Sequence, residues 1–464
     1  MTGFRPQLIY WQFDNGGQNG FADVVLPAEF PHVKPRFWND PWAARIGLGS
    51  LAAKDREKHF ARFVPLSGAQ PKPLAMRYHG HQFRHYNEDL GDGRGFLFAQ
   101  AQDPVDLRLL DFGTKGSGQT PYSRAGDGRL TLKGAFREAL ATEMLESLGV
   151  NTSKTFSFFE TDERLQRNDE PSPTRAAVLT RLSHGHIRFG AFERLAHLRE
   201  SDRLRQLVAY SVQNYFQGLD PDNGVLFFRE VLERTARLTA QWMMAGFVHG
   251  VLNTDNMNIT GESFDYGPWR FLPTYKPEFT AAYFDHAGLY AYGRQPQAVY
   301  WNLDRLALAL STVYDTASLR TELLRFPDRF QHEALACFYG RMGLELPADL
   351  GQAEELFVAG MRLLATTQRP FENLFFDWYA GRSERAENWI GADEWQRLLA
   401  VNSPRSEASA RLAGEYYRGP SPETMLIEEV ESLWSEIDRS DNWQPFYDKV
   451  TRLREKGRGH GFGA

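Results

Sequence analysis

The chain has 464 residues, enough for two or three domains or for one enzyme made of two lobes. Hydrophobic residues make up 42% and charged residues 24%, which is ordinary globular usage, and a net charge of −6 argues against a general nucleic-acid binder, which would need a basic face. Its one cysteine, Cys337, excludes an intrachain disulfide and fits a reducing, cytoplasmic compartment. No apolar run is long enough to predict a membrane span, and the first residues lack the pattern of a signal peptide.

Up to about residue 195 the chain is rich in glycine and in short apolar runs. The segments "RGFLFAQAQ" (94–102) and "VDLRLLDFGTKG" (105–116) predict two strands joined by a short turn. The segment "RLTLKGAFREALATEMLESLG" (129–149) predicts a helix, because its apolar residues recur at helical spacing and Gly149 follows them.

Three features in this part occur in the order that protein kinases use: a Gly-rich loop, a strand lysine and a helix glutamate. The loop is "LGDGRGFLF" (90–98), with Gly91, Gly93 and Arg94 as the residues that would approach phosphates; the lysine is Lys115 and the glutamate is Glu138. Most Gly-rich hairpins are only turns, and a strand lysine and a helix glutamate are often solvated. The order of the three favours a nucleotide site.

A long polar segment, "GSGQTPYSRAGDGR" (116–129), separates the strand lysine from the helix. Asp127 and Gly128 come just before the predicted helix, where free backbone N–H groups attract a phosphate. Asp127 would instead be a simple N-cap if no phosphate binds there.

The segment "RLSHGHIRFGAFER" (181–194) carries two arginines and a histidine. If it is helical, Arg181, His184 and Arg188 share one face, and such a face would clamp phosphates. The alternative is a surface helix with solvated charges.

From about residue 200 the pattern changes to long helical periodicity, in segments such as 203–216, 227–247, 301–315, 319–343 and 353–367. A strand-rich part followed by a large helical part predicts an α+β, protein-kinase-like fold of two lobes. We expect an N-lobe at 1–195, a helical C-lobe at 196–450, and a basic, Gly-rich, disordered tail at 451–464.

The segment "HGVLNTDNMNITGESFDYGP" (249–268) has the outline of a kinase catalytic loop followed by a metal-binding Asp-aromatic-Gly. With His249 in the place of the kinase histidine, Asn256 and Asp265 fall on the kinase metal ligands, and both supply the hard oxygen atoms that Mg²⁺ prefers. They would otherwise be turn residues. Val251 occupies the place of the kinase catalytic aspartate and cannot take a proton.

Other chemistries have no motif here. The sequence has no P-loop, no G-x-S-x-G elbow and no Rossmann fingerprint. Histidines cluster in "HGHQFRH" (79–85) and at His184 and His186, but without zinc-site spacing or a cysteine partner, so a structural zinc is not favoured.

Several unusual blocks in this order, from about 77 to 310, resemble the selenoprotein O family of pseudokinases: "GHQF", "LGDGRG", "KGSGQTPYSRAGDGR", "SHGHIRFG", "GFVHGVLNTDNMNITGESFDYGP" and "WNLDRLA". The resemblance implies a kinase-like fold that binds ATP in a reversed orientation and transfers AMP to protein hydroxyl groups. Some bacterial members are said to transfer UMP with manganese.

The resemblance also implies roles for particular residues. Lys115 would hold phosphates and pair with Glu138, and Arg181 and Arg188 would grip the phosphates. Asp255 would be the base, and the metal, Mg²⁺ or Mn²⁺, would lie on two further residues. The implied metal ligands are Asn256 and Asp265, and the implied lining of the nucleotide site is Gly91, Gly93, Arg94, Asp127 and Gly128.

The chain departs from the family pattern at its end, because the tail "REKGRGHGFGA" lacks the cysteine or selenocysteine linked to redox control. The leading prediction is a protein adenylyltransferase that modifies Ser, Thr or Tyr of protein substrates, with the protein itself as one candidate substrate. The alternatives are UMP transfer, phosphotransfer to a small molecule and a non-catalytic scaffold. Neither nucleic acid nor a membrane is expected as a partner.

Overall fold

The computed structural model describes residues 3–168, 170–385, 387 and 389–462. Within these residues the chain is a mixed α/β protein in which a sheet-rich part precedes a large helical part. The strands are β1 (Pro6–Gln7), β2 (Ala22–Val24), β3 (Lys34–Trp38), β4 (Leu74–Met76), β5 (Gly80–Gln82), β6 (His85–Asn87), β7 (Leu97–Gln102), β8 (Leu109–Lys115), β9 (Leu130–Thr131), β10 (Lys154–Leu165), β11 (Thr174–Ser183), β12 (Phe247–Val248) and β13 (Arg270–Phe271).

The helices surround and follow this sheet. They are α1 (Ile9–Phe13), α2 (Asp40–Arg45), α3 (Ala53–Phe60), α4 (Leu132–Ser147), α5 (Phe189–His197), α6 (Ser201–Tyr215), α7 (Gly224–Met244), α8 (Gln295–Leu310), α9 (Thr316–Leu323), α10 (Phe326–Met342), α11 (Leu350–Thr367), α12 (Phe371–Asp377), α13 (Asp393–Ala400), α14 (Ala408–Leu412), α15 (Glu415–Arg418), α16 (Ile427–Ser440) and α17 (Gln444–His460). Short 3-10 turns lie at Thr254–Asn256, Tyr292–Arg294 and Tyr379–Gly381.

The main sheet has nine strands, of which seven follow one another in the order β2, β4, β7, β8, β11, β10 and β3. All pairings between these described strands are antiparallel. Strand β8 lies at the middle, where Lys115 pairs with Leu179 and Gly113 pairs with Arg181 of β11. Directly opposed residues point to the same face, so Lys115 and Arg181 project from the same side of the sheet.

Both faces of the sheet are covered, because apolar residues alternate along its strands. Leu97 of β7 belongs to the core shared with α4 and the later helices, whereas Phe98 of β7 and Phe96, just before the strand, belong to the core under α2 and α3. On β8, Leu109 and Phe112 divide in the same way. Because the sheet is buried on both faces, its strands are held in fixed positions, including the strands that carry Lys115 and Arg181.

The predicted strands and helices of the first part are present with shorter bounds. The two predicted strands are β7 and β8, which pair with each other, and the predicted helix is α4. Thr131 caps α4 by accepting a hydrogen bond from the Gly134 N–H at 3.1 Å, and Gly149, with φ of 74°, lies just past its end.

The long helical segment predicted at 319–343 is two helices, α9 and α10. Pro327 lies in the first turn of α10, where its missing N–H costs nothing, and a proline there cannot continue a preceding helix. The predicted boundary between lobes at 195/196 falls inside α5. Among the described helices none is long and apolar enough to cross a membrane.

The prediction of a disordered tail at 451–464 is wrong as far as His460, because α17 runs to that residue. Two of its basic residues pair with distant carboxylates: buried Lys456 donates from Nζ to Glu372 Oε1 at 2.6 Å, and half-buried Arg454 donates from its guanidinium to Glu143 of α4 at 2.7 Å. Arg341 Nη2 also donates to Glu372 Oε1 at 2.6 Å. Composition suggested solvation of this segment, but distant carboxylates neutralise its charges. The last two residues, Gly463 and Ala464, lie outside the described part of the chain.

Candidate active site

A cleft of about 680 Å³ collects almost every residue that the sequence singled out. This volume is in the range of small-ligand sites. Its walls come from the loop before β7, the end of β8, the loop before α4, strand β11 and the loops around the Thr254–Asn256 turn. The predicted residues that line it are Gly91, Gly93, Arg94, Lys115, Asp127, Gly128, Arg181, Arg188, Asp255, Asn256 and Asp265.

Lys115, at the end of β8, connects two carboxylates. Its Nζ donates to Glu138 Oε2 at 2.6 Å and to Asp265 Oδ1 at 2.7 Å. Glu138 is buried on the inner face of α4, so the ion pair expected from the order of strand and helix is present. The lysine is thereby held at the cleft wall with its charge directed between the helix and the Asp265 loop.

Asp265 has an unusual backbone and a low carboxyl pKa. Its φ is 61°, a left-handed conformation that aspartate tolerates better than most residues, and Gly267 N–H donates to its carbonyl at 3.0 Å. Burial opposes ionisation, but Lys115 and the arginines of the cleft outweigh it and hold the pKa of Asp265 well below its usual range. The group is therefore a carboxylate at neutral pH.

Arg181 and Arg188 both reach the cleft, but not from one helix face as predicted. Arg181 lies on β11, and Arg188 has extended backbone (φ −93°, ψ 156°) immediately before α5. The intervening "SHGHI" turns the chain, and Gly113 of β8 leaves room for His186, since a Cβ at Gly113 would lie 1.9 Å from the His186 Nε2. The sheet, rather than helical spacing, brings the two guanidinium groups together.

Phe264 supports both arginines and was not predicted as a site residue. Its ring lies 5.1 Å from the Arg181 Cζ and 4.7 Å from the Arg188 Cζ, and Tyr78 lies 4.6 Å from the Arg188 Cζ on another side. Its position directly before Asp265 was the only signal in the sequence. Arg181 Nη1 is buried and has no hydrogen-bond partner among the described residues, so a donor is free to serve a ligand.

Asp255 lies in the Thr254–Asn256 turn and is 8% exposed. Burial raises the pKa of its carboxyl to about 7, with Arg188 opposing this shift and Asp265 adding to it. Its Oδ1 has no hydrogen-bond partner within the described structure. A buried carboxyl that is half ionised near neutral pH and has a free oxygen atom suits a general base.

Asn256 presents a free oxygen atom beside Asp255. Its Nδ2 donates to the Val251 carbonyl at 3.0 Å, which orients the amide, and its Oδ1 is buried without a hydrogen-bond partner in the described residues. With the Asp265 carboxylate this gives two hard oxygen donors at the same cleft, a set that fits Mg²⁺ or Mn²⁺ if phosphates and water complete the shell. Val251 also lines the cleft, and its side chain has no polar atom.

The glycines of the 90–95 loop are required by packing within the protein. A Cβ at Gly91 would lie 2.2 Å from the Tyr122 Cγ, and one at Gly93 would lie 2.9 Å from the Tyr122 carbonyl oxygen. The polar loop that contains Tyr122 thus lies directly on this turn. Arg94 is exposed in the cleft, and its carbonyl accepts the Gly116 N–H at 2.7 Å, which ties the turn to the end of β8.

Asp127 is neither an N-cap nor at a helix N-terminus, because α4 begins at Leu132 under the cap of Thr131. Its carboxylate pairs with Arg167 Nη1 at 2.8 Å at the rim of the cleft. Gly128, with φ of 69°, crosses the backbone of Gly118 so closely that a Cβ would lie 2.3 Å from it. These two residues shape the rim of the cleft.

The histidines have local partners. His81 Nδ1 lies 2.5 Å from Glu193 Oε1, and His184 Nδ1 lies 2.8 Å from the Leu109 carbonyl oxygen. Buried His249 has its Nε2 3.0 Å from the Phe264 carbonyl oxygen, which fixes the segment before Asp265. Among the residues that the structure describes, no group of three or more His, Cys, Asp or Glu side chains has the geometry of a metal site.

Comparison with known proteins gives a consistent result over nearly the whole chain. Residues 10–454 match the family model described as "Protein adenylyltransferase SelO". A protein of Gloeobacter violaceus named "Protein nucleotidyltransferase YdiU" is 44% identical over 453 residues, which cover 94% of this chain and 92% of that protein. A protein of Synechocystis with the same name is 43% identical over 94% of this chain and 96% of that protein.

Proposed function

The chain belongs to the SelO family of protein adenylyltransferases, and from this membership and the residues of the cleft we propose that it transfers AMP from ATP to hydroxyl groups of proteins. Pyrophosphate is the other product. The family and its relatives support nucleotide transfer onto proteins as the activity of an enzyme. A protein-kinase-like arrangement of two lobes around the nucleotide is part of the same proposal.

One observation carries the choice of AMP over phosphate. The cleft offers a buried carboxyl with a free oxygen atom at Asp255, and an apolar residue, Val251, where a kinase would place its base. Across the same cleft two stacked guanidinium groups, Arg181 and Arg188, supply positive charge for the outer phosphates. This distribution favours a reversed nucleotide whose α-phosphate faces the acceptor.

In the proposed reaction the acceptor hydroxyl oxygen attacks the α-phosphorus of ATP. A new oxygen–phosphorus bond forms, the bond between the α-phosphorus and the bridging oxygen to the β-phosphate breaks, and pyrophosphate leaves with that electron pair. The hydroxyl proton passes to Asp255. This carboxyl suits the role of general base because its pKa is about 7. Lys115, Arg181 and Arg188 bind the phosphates and stabilise the charge that develops on the leaving group.

Asn256 and Asp265 are the proposed ligands of a divalent cation, Mg²⁺ or Mn²⁺. Bound there, the cation would neutralise phosphate charge and increase the electrophilicity of the α-phosphorus. Glu138 orients Lys115 from the buried side at 2.6 Å. Because Lys115 also donates to Asp265, the same lysine holds the metal-ligating carboxylate in place.

UMP transfer remains the second candidate, because the curated relatives are named nucleotidyltransferases without a stated base. A competition experiment with α-labelled ATP distinguishes AMP transfer from UMP transfer. If AMP is transferred, unlabelled ATP should suppress incorporation of the label, and an excess of UTP should not. A preference for UTP in the presence of Mn²⁺ would replace AMP by UMP and leave the proposed site residues unchanged.

The deciding experiment compares ATP labelled at the α-phosphate with ATP labelled at the γ-phosphate, each incubated with the protein, a divalent cation and a mixture of candidate protein substrates. We expect protein-bound label from the α-position only, on hydroxyl side chains, and its loss in Asp255→Ala with ATP-analogue binding retained. Incorporation of γ-label at the same rate as α-label would overturn the proposal and indicate phosphotransfer. Val251→Asp serves as a matched control, since it restores the kinase position and is expected to create no γ-transfer.

A further inference from the structure

A second cavity, of about 600 Å³, shares no lining residue with the cleft. Three guanidinium groups line it, those of Arg108, Arg234 and Arg237, and Asp106 is the one carboxylate among the lining residues that the structure describes. We call it the arginine cavity. Most of its remaining lining consists of amide, hydroxyl and ring side chains that can donate or accept hydrogen bonds.

The charges of the arginine cavity are matched except at Arg234. Asp106 Oδ2 accepts from Arg45 at 2.9 Å and from Arg108 at 2.8 Å, and Arg237 Nε donates to Glu333 at 3.1 Å. Arg234 has neither an ion pair nor a hydrogen bond to any residue in the described part of the chain. Glu230, one turn earlier on α7, acts on this guanidinium through its charge but does not form an ion pair with it.

Arg234 is held in place although it has no ion-pair partner among the described residues. It lies on α7, with its Cζ 4.1 Å above the ring of Phe216. Burial lowers the pKa of the guanidinium, but an arginine remains charged at neutral pH. A partly buried cation without an ion-paired counter-ion is costly, and an anion that enters the cavity would lower that cost.

The wall next to Arg234 supplies a free hydrogen-bond donor. Thr260 is 3% exposed, and its Oγ1 has no hydrogen-bond partner among the described residues. Its neighbour Gly261 has φ of 67° and packs so tightly that a Cβ would lie 2.7 Å from the Arg234 Cβ. A buried hydroxyl and a fork of guanidinium donors at one wall are a combination suited to phosphate oxygens.

We propose that the arginine cavity is a second binding site, which takes a small phosphate-bearing anion. Its walls belong to the segments that carry the cleft residues: Thr260 lies between Asn256 and Asp265, and His184 lies between Arg181 and Arg188. The ligand therefore contacts both segments without entering the cleft. Phosphate is favoured over a carboxylate because three oxygen atoms can be shared between the Arg234 fork and the Thr260 hydroxyl.

The test measures binding and does not depend on the transfer reaction. The full chain is first saturated with Mg²⁺ and a non-hydrolysable ATP analogue, so that the cleft is filled, and inorganic phosphate is then titrated by calorimetry at constant ionic strength. We expect saturable binding at one site. Arg234→Gln should weaken it about tenfold or more, since the charge-assisted contacts are lost. Arg229→Gln on the same helix, whose guanidinium pairs with Glu322 outside the cavity, should bind phosphate as the wild type does.

Gln217→Glu gives a second variant that does not disturb the core, because Gln217 is exposed at the cavity. The new negative charge should also lower phosphate affinity. A parallel titration with ribose 5-phosphate distinguishes free phosphate from a phosphate ester, and saturable binding of either supports the site. The proposal is overturned if neither probe binds the analogue-saturated protein, or if both variants bind as tightly as the wild type.

Discussion

Arg188 and Asp255 are joined by a hydrogen bond of 2.7 Å from the guanidinium Nη1 to the backbone carbonyl of the aspartate. The proposed phosphate-binding arginine therefore also positions the turn that carries the proposed base. Arg188 Nη2 also donates to Asp92 Oδ1 at 3.4 Å, so the guanidinium is held on two sides. A change at Arg188 should affect the nucleotide and the base together.

Arg188→Lys keeps the positive charge but removes the planar fork that contacts the Asp255 carbonyl and is proposed to bind the phosphates. We expect transfer to fall by about 100-fold, the order seen when one preorganised donor to a developing anion is lost. The melting temperature should change little. Arg175→Lys on β11 is the matched control. Arg175 does not line the cleft and pairs with Glu160 at 2.6 Å. Full activity in Arg188→Lys would show that this arginine does not contact the phosphates.

Asp265→Asn tests the proposed cation site with little change of shape. The change removes one negative charge from the proposed cation site and leaves Lys115 a neutral, weaker acceptor. Calorimetry with an ATP analogue should show affinity that no longer depends on Mg²⁺, about tenfold or more below the wild type at saturating Mg²⁺. Glu278→Gln, at an exposed position, should keep the full metal dependence. A wild-type response to Mg²⁺ in Asp265→Asn would exclude Asp265 as a ligand.

Glu372 predicts a specific dependence of stability on pH. Burial alone would raise the pKa of this carboxyl, but Arg341 and Lys456 outweigh burial and lower it to about 2. Because this value lies below that of an unfolded glutamate, the stabilisation is complete above about pH 4.5 and is lost as the pH falls towards 2. Glu372→Gln should cost about 3 kcal/mol at neutral pH, and the cost should shrink as the pH falls below about 4.5.

Thermal unfolding of both forms from pH 7 to 3 measures this difference. A gap in melting temperature that stays constant over the whole range would mean that folding does not lower the pKa of Glu372. Glu415→Gln, at an exposed position on the short helix α15, should show no such pH-dependent difference from the wild type.

Cys337 should be unreactive. Burial raises the pKa of its thiol to about 12, so almost none of it is thiolate at neutral pH. We expect iodoacetamide to modify the folded protein far more slowly than the unfolded protein, and Cys337→Ser to keep transfer activity. Reversible inactivation by mild oxidants that disappears in Cys337→Ser would identify this residue as a redox sensor instead.

The order of loop, strand and helix was enough to predict the Lys115–Glu138 ion pair. These elements are adjacent in sequence, and a lysine at the end of a buried strand can reach few carboxylates. The arginine pair was predicted for the wrong reason. Arg181 is on a strand and Arg188 precedes a helix, and their convergence depends on the register of β11 against β8, which local spacing does not encode.

Long-range contacts account for the other errors. The contact of Lys456 with Glu372 joins positions 84 residues apart, and the contact of Arg454 with Glu143 joins positions 311 apart. Read locally, the same basic and Gly-rich residues indicate a solvated tail. Likewise nothing in the sequence distinguished Asp127 from Thr131 as the cap of α4, because both precede the helix and both are good caps.

The packing of α17 on α4 joins the end of the chain to the helix that carries Glu138. Glu138 projects from one side of α4, while Glu143 on the same helix is neutralised by Arg454, a residue near the end of the chain. A growing polypeptide that has released only its first three hundred residues from the ribosome has Lys115, Arg188 and Asp265 but leaves Glu143 of α4 without its cation. The contact between Arg454 and Glu143 can form only once α17 has been synthesised, so the packing around α4 is completed late in the translation of the chain.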